Sequence, residues 1–200
     1  MHLVEWKTQL FNCIEQINHT THTAIFTYSS NSSNSSLISL SGSLFNIRSL
    51  TVPNKYNFVF DHLMSVKPSF FGITETWLSI QNTPLAFLAA PDNYTFHHTP
   101  RENRGGGSLA LICANYLKPT KLNTEKYTSF ESIAIKLYSP KPSIVSVNYR
   151  PPSSSLSQFL EQFTDYLSLL LSLNFPFLVI GDFNIPVSYT HLTLPTICSV

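Results

Sequence analysis

The sequence predicts an α/β or α+β domain in which sheet packs on sheet and helices lie outside, and three observations carry that expectation. From about Leu37 onward, strand-length apolar runs alternate with helix-length ones. Two of the longer segments repeat apolar residues every three or four positions, and Gly, Pro and Asn turns separate the short runs. No internal repeat is visible.

Leu3, Trp6, Leu10, Ile14 and Ile17 recur at helical spacing and predict a weak amphipathic helix. The Ser/Asn run from Ser29 to Ser36 cannot bury apolar surface and reads as a linker, so residues 1–36 are expected to lie outside the domain. The domain proper is expected over 37–187. Leu37–Ile47 is apolar and extended; Tyr56, Val59, Leu63 and Val66 follow at helical spacing and stop before Pro68; Ser69–Thr74 has strand length. Tyr94–His98, Ser108–Cys113, Ser129–Leu137 and Ser143–Tyr149 are four more strand candidates. A broad stripe from Leu156 through Phe159, Phe163, Tyr166 and Leu170 predicts a strong helix, with the serines after Pro152 suited to N-capping. Phe175–Ile180 is a buried strand ending at Gly181.

Composition excludes more than it names. The formal charge is +1 and only 12% of residues are Asp, Glu, Lys or Arg, so any phosphate binding must be local rather than driven by a whole-molecule field. Serine, with 27 residues, fills the polar share. Three distant cysteines, Cys13, Cys113 and Cys198, form no disulfide or zinc pattern and suit a reducing compartment. The longest apolar stretch, Leu169 to Ile180, is interrupted by Ser172, Asn174 and Pro176 and is too short for a bilayer, so no membrane partner is expected.

Polar residues that look out of place fall at strand ends. Asn46 closes the first strand, Glu75 follows the next, Tyr149 ends a later one, and Asp182 with Asn184 follows the last. Strand ends converge on one rim of a sheet, where α/β enzymes place their sites. Two carboxylates about 4 Å apart would repel by about 4 kcal/mol at an effective dielectric of 20, so Glu75 and Asp182 need a cation or a shared proton if they meet. A hard divalent ion held by carboxylates and substrate phosphate suits that need, and phosphoester cleavage is its chemistry. Arg101, Arg104 and Arg150 are candidates to touch a DNA backbone, although Gly105–Gly107 beside Arg104 reads first as a hairpin entry. Adjacent His97 and His98 point to opposite faces of a strand and are expected to be exposed.

Six segments occur in a fixed order: Phe45-Asn-Ile-Arg-Ser-Leu50, Ile73-Thr-Glu-Thr-Trp-Leu78, Arg104-Gly-Gly-Gly107, Phe130-Glu-Ser132, Asn148-Tyr-Arg-Pro-Pro152 and Val179-Ile-Gly-Asp-Phe-Asn184. In this they resemble the endonuclease domain of non-LTR (LINE-type) retrotransposons, a branch of the endonuclease/exonuclease/phosphatase superfamily, over about Leu37 to Ile185. The resemblance implies a four-layer α/β sandwich of two mixed sheets flanked by helices, incomplete here at the C-terminus. It also implies a Mg²⁺-dependent enzyme, with Mn²⁺ as a substitute ion, that nicks chromosomal DNA to prime reverse transcription. Its partner would be the reverse transcriptase domain of the same polyprotein, and its setting the nucleus. By the same resemblance Glu75 is the metal ligand and Asn46 its neighbour at the metal or phosphate. Asp182 orients or deprotonates the attacking water, Asn184 contacts phosphate, and Tyr149 assists at the scissile phosphate.

The superfamily pattern continues beyond this point with another acidic residue and a Ser-Asp-His motif, which the stretch from Pro186 to Val200 does not contain. Residues 188–200 are expected to lie outside the domain, His191 stands too close to Asp182 to replace the missing histidine, and little nuclease activity is expected even with Mg²⁺. On the residues alone, two alternatives stay open. One is a non-enzymatic retrotransposon remnant or weak DNA-binding module. The other is a phosphoesterase of the same superfamily acting on an inositol phosphate, a sphingolipid or an abasic site.

Overall fold

The computed structural model describes residues 14–16, 26–29, 39–81, 87–100, 107–124, 127–139 and 141–185. The expectations about the tail, His191, Arg101 and Arg104 lie outside these residues.

Two five-stranded mixed sheets form the centre. The first runs β2 (Phe26–Ser29), β3 (Ser39–Asn46), β4 (Phe70–Thr74), β6 (Leu109–Ala114), β5 (Tyr94–Thr99). The second runs β1 (Ile14–Gln16), β10 (Phe177–Asp182), β9 (Ser143–Tyr149), β8 (Glu131–Leu137), β7 (Thr120–Lys121). Each sheet contains one parallel pair joined by a helical crossover. Helix α1 (Pro53–Val66) connects β3 to β4, and α2 (Leu156–Ser172) connects β9 to β10. The expected α/β sandwich is therefore present.

The apolar residues sort into the layers that the crossovers create. Leu44, Ile73, Leu111, Ile135, Val147 and Ile180 belong to one buried cluster drawn from both sheets. On the outer face of the second sheet, Phe159, Phe163, Tyr166 and Leu170 of α2 meet Phe130, Ala134, Ile144 and Val179. α1 lays Val59 and Leu63 into the first cluster, and its Phe58 and His62 rings stand against Phe45. At Gly72 a Cβ would sit 2.8 Å from Val147 Cγ2, so the bare backbone of β4 allows the sheets to approach.

The helix ends follow their sequence cues. Pro53 opens α1, and Lys67, with φ 52°, closes it by donating its N–H to Leu63 O just before Pro68. Ser155 caps α2, its hydroxyl accepting from Gln158 N at 3.4 Å.

Three expectations need correction. Ile14–Gln16 is not helical; it pairs in parallel with β10, whose open backbone edge outweighs a weak helical periodicity. Phe26–Ser29 likewise pairs with β3, so part of the segment expected outside the domain extends both sheets. His97 and His98 are half-buried rather than exposed, because β5 lies against the Lys121 side chain, which donates to His98 O at 2.7 Å. Burial first, then the Lys121 charge, lowers the pKa of both imidazoles. Among the described residues no helix is long and apolar enough to cross a membrane.

Candidate active site

The same ends of β3, β4, β9 and β10 bring Asn46, Glu75, Tyr149 and Asp182 together. Parallel register sets this up: Asn46 pairs with Thr74, and Asp182 pairs with Tyr149. Asn46 Nδ2 donates to Glu75 Oε1 at 3.0 Å and to Asp182 Oδ2 at 3.0 Å. The two carboxylate oxygens therefore lie within twice that distance of each other. Tyr149 OH donates to Glu75 Oε1 at 3.2 Å. Asn184 N donates to Asp182 Oδ1 at 3.3 Å, so both oxygens of a buried Asp182 are held.

The loop that carries Glu75 is fixed by backbone. Beyond the strand ends the parallel ladder continues, with Ile47 N donating to Thr74 O, Ser49 N to Glu75 O and Leu50 N to Thr76 O. Lys55 Nζ reaches back from α1 to Ile47 O at 2.6 Å and to Arg48 O, pinning the neighbouring loop. Glu75 and Trp77 both adopt left-handed backbone, φ 54° and 53°. Thr76, fully buried between them, shares a hydroxyl hydrogen bond with Ser108, whose N–H donates to Glu131 Oε2 at 2.8 Å. Non-glycine residues in this backbone region persist only where the surroundings over-determine them, and such strain gathers at functional sites.

Gly181 of the GDFN segment has a steric reason. A Cβ there would lie 2.2 Å from Asn148 O, so only glycine lets β10 close on β9 and deliver Asp182 to the rim.

Arg150 departs from expectation. It is buried rather than turned toward a DNA backbone, and Nη1 donates to Asn184 O at 2.7 Å and Phe183 O at 3.3 Å, while Nη2 donates to Ser154 O. Asn184 Nδ2 returns a bond to Arg150 O at 2.7 Å. The guanidinium thus clamps the Asp182–Asn184 turn, and burial lowers its pKa. One N–H of the Asn184 amide stays available for a phosphate oxygen. Thr76, Ser108 and Glu131 were not among the expected site residues; the pairing of Glu131 with Tyr149 across β8 and β9 is a tertiary relationship that no spacing announces.

The donor set fits a hard cation. Asn46 Oδ1 is buried with no hydrogen-bond partner, beside two carboxylates. Both donors to Glu75 fall on Oε1, which leaves Oε2 lone pairs for an ion. The donors here are oxygens of two carboxylates and an amide, the type that suits Mg²⁺; among the described residues no group of three or more His, Cys, Asp or Glu side chains is placed to hold a metal ion.

The described architecture is shared with known structures. An endonuclease/exonuclease/phosphatase family protein from Bacteroides thetaiotaomicron superposes with a TM-score of 0.54 at 13% identity, covering 76% of this chain and 65% of that one. The human Nocturnin catalytic domain gives 0.51 at 15%, covering 74% and 65%. The endonuclease domain of TRAS1, a telomere-specific non-LTR retrotransposon, gives 0.51 at 11%, covering 73% and 59%. This chain thus spans less than two thirds of each of these, and at such identities the likeness is one of fold. No curated protein matches it in sequence. The model of the Endonuclease/Exonuclease/phosphatase family matches residues 43–199, a stretch that contains Asn46, Glu75, Tyr149 and Asp182. The chain belongs to the endonuclease/exonuclease/phosphatase family.

Proposed function

We propose that this chain carries the site of a divalent-metal-dependent phosphodiesterase acting on DNA, with Mg²⁺, or Mn²⁺ in its place, as the ion, and has little nicking activity by itself. The observation that carries the reading is the Asn46 amide held between Glu75 and Asp182. A neutral amide separates the two carboxylates but cancels neither charge, and family members generally use divalent metal ions. Glu75 and Asn46 would hold the ion, which when bound supplies positive charge against the phosphate oxygens.

The remaining roles belong to the chain itself. Asp182, held through both oxygens, orients a water and accepts its proton. Asn184 offers an amide N–H to a non-bridging phosphate oxygen. Tyr149 OH keeps Glu75 in place and stands beside the ester. Because Arg150 fixes the Asp182–Asn184 turn through carbonyls, these groups are set before substrate arrives.

The Ile73–Leu78 and Asn148–Pro152 segments favour a retrotransposon-type role, nicking DNA to prime reverse transcription by a reverse transcriptase domain of the same polyprotein. Calorimetric titration with Mg²⁺ and Ca²⁺, paired with supercoiled-plasmid nicking, tests the reading. One ion should bind at least tenfold more weakly in Glu75→Ala, and whatever nicking the chain shows should need Mg²⁺ and vanish in both Glu75→Ala and Asp182→Ala. Equal ion affinity in parent and Glu75→Ala, or nicking that survives EDTA, would overturn it.

A further inference from the structure

Two exposed residues, Trp77 and Arg48, stand just beyond Glu75 and Asn46, and the proposed function does not use them. Trp77 stands two positions after Glu75 and is 44% exposed, although Thr76 and Leu78 on either side are buried. Its φ of 53° is a true outlier for a bulky aromatic, and its N–H is locked to Gly107 O at 3.0 Å. Arg48 stands two positions after Asn46, is also exposed, and also has left-handed backbone, φ 45°. No hydrogen bond or ion pair engages its guanidinium among the described residues. The two loops run side by side, joined through Ser49 N to Glu75 O at 2.8 Å.

Exposed apolar side chains occur elsewhere on the surface, but Trp77 alone follows a site residue by two positions, and there an unfavourable backbone holds its ring outside. Two residues of chain span at most about 7 Å, so Trp77 and Arg48 lie within a nucleotide's reach of the groups that would meet the phosphate. An indole offers a stacking face for a base of any sequence, and a guanidinium offers a fork for phosphate oxygens. Resting on the phosphodiesterase reading, we infer that Trp77 and Arg48 form a nucleotide-binding rim, in which the indole stacks on an unpaired base beside the scissile phosphate and Arg48 pairs with the strand's backbone. Inside a duplex the base faces are covered by their neighbours, so this rim takes a strand that is locally opened.

The test uses the full chain with Trp6→Phe, which leaves Trp77 as the sole tryptophan, in Ca²⁺ buffer. A labelled 12-nucleotide single strand and the corresponding blunt duplex are titrated, with emission and anisotropy read together. The single strand should quench Trp77 emission. Trp77→Ala should weaken single-strand binding about five- to hundredfold with less than twofold effect on the duplex, and Trp77→Phe should recover part of the loss. Arg48→Ala should weaken binding of both and lower the salt slope by about one. Binding by anisotropy with unchanged Trp77 emission and an indifferent Trp77→Ala overturns the rim alone. Absence of binding to either DNA overturns the rim and the DNA-cutting reading together.

Discussion

Asn46 Nδ2 lies 3.0 Å from Asp182 Oδ2, a hydrogen bond that spans 136 positions of sequence. The same nitrogen bonds Glu75, so one amide holds two carboxylates in place. Asn46→Ala removes that link and the adjacent oxygen donor. Affinity for Mg²⁺ or Ca²⁺ should fall about 10- to 100-fold while circular dichroism stays unchanged. Calorimetry that finds parent-like affinity in a folded variant would place the ion elsewhere.

Arg150 is a structural clamp, and its removal should be felt in stability before chemistry. Arg150→Ala leaves the carbonyls of Ser154, Phe183 and Asn184 without their donor. Hydrogen bonds from a charged group contribute about 1.5–3 kcal/mol each and do not add, so a loss of about 3 kcal/mol is expected in urea unfolding. Arg150→Lys should recover only part, because an ammonium lacks the guanidinium's fork. A variant as stable as the parent would contradict the clamp.

Gly181→Ala forces a methyl onto Asn148 O, a backbone atom that cannot turn aside. The expected cost is about 1–3 kcal/mol, with a matching drop in divalent-ion affinity because Asp182 is the next residue. Thermal unfolding and calorimetry on one preparation check both effects. An unaltered melting temperature would show that β9 and β10 stand further apart.

Alkaline stability should report Tyr166. Its ring is fully buried and its OH shares a 2.6 Å hydrogen bond with Ser146, and burial pushes its pKa up to about 12 from 10.0. Between those values the folded chain keeps a proton that the unfolded chain has lost. This contribution is therefore complete below pH 10.0 and disappears as pH rises through about 12. Tyr166→Phe should lose about 1 kcal/mol at neutral pH through the missing hydrogen bond, yet show a shallower alkaline decline. Urea midpoints measured across that pH range decide it; parallel curves for parent and variant would refute the assignment.

Much of the architecture was legible because apolar spacing and turn chemistry are local. The α1 and α2 stripes, the stop before Pro68, the serine cap at Ser155 and the apolar run of β10 each rest on neighbours in sequence. The edges were not legible. Ile14 at helical spacing became strand because β10 presented unpaired backbone, and β7, two residues long, has too little pattern to announce itself. At the site, Asn46, Glu75, Tyr149 and Asp182 stood out as polar residues closing apolar strands. Arg150 looked like a DNA contact because charge alone does not reveal whether a guanidinium meets water or carbonyls.

By itself, the sequence determined the residue types that carry the chemistry and the strands that end on them, since alternation, capping and glycine placement act within a few positions. Only the tertiary structure decided that one asparagine amide would join Glu75 to Asp182, that Arg150 would face inward, and that Trp77 would stay outside. Those outcomes depend on the register of β3 on β4 and β9 on β10 and on how closely the sheets approach, quantities set by packing between distant segments and absent from any local stretch of chain.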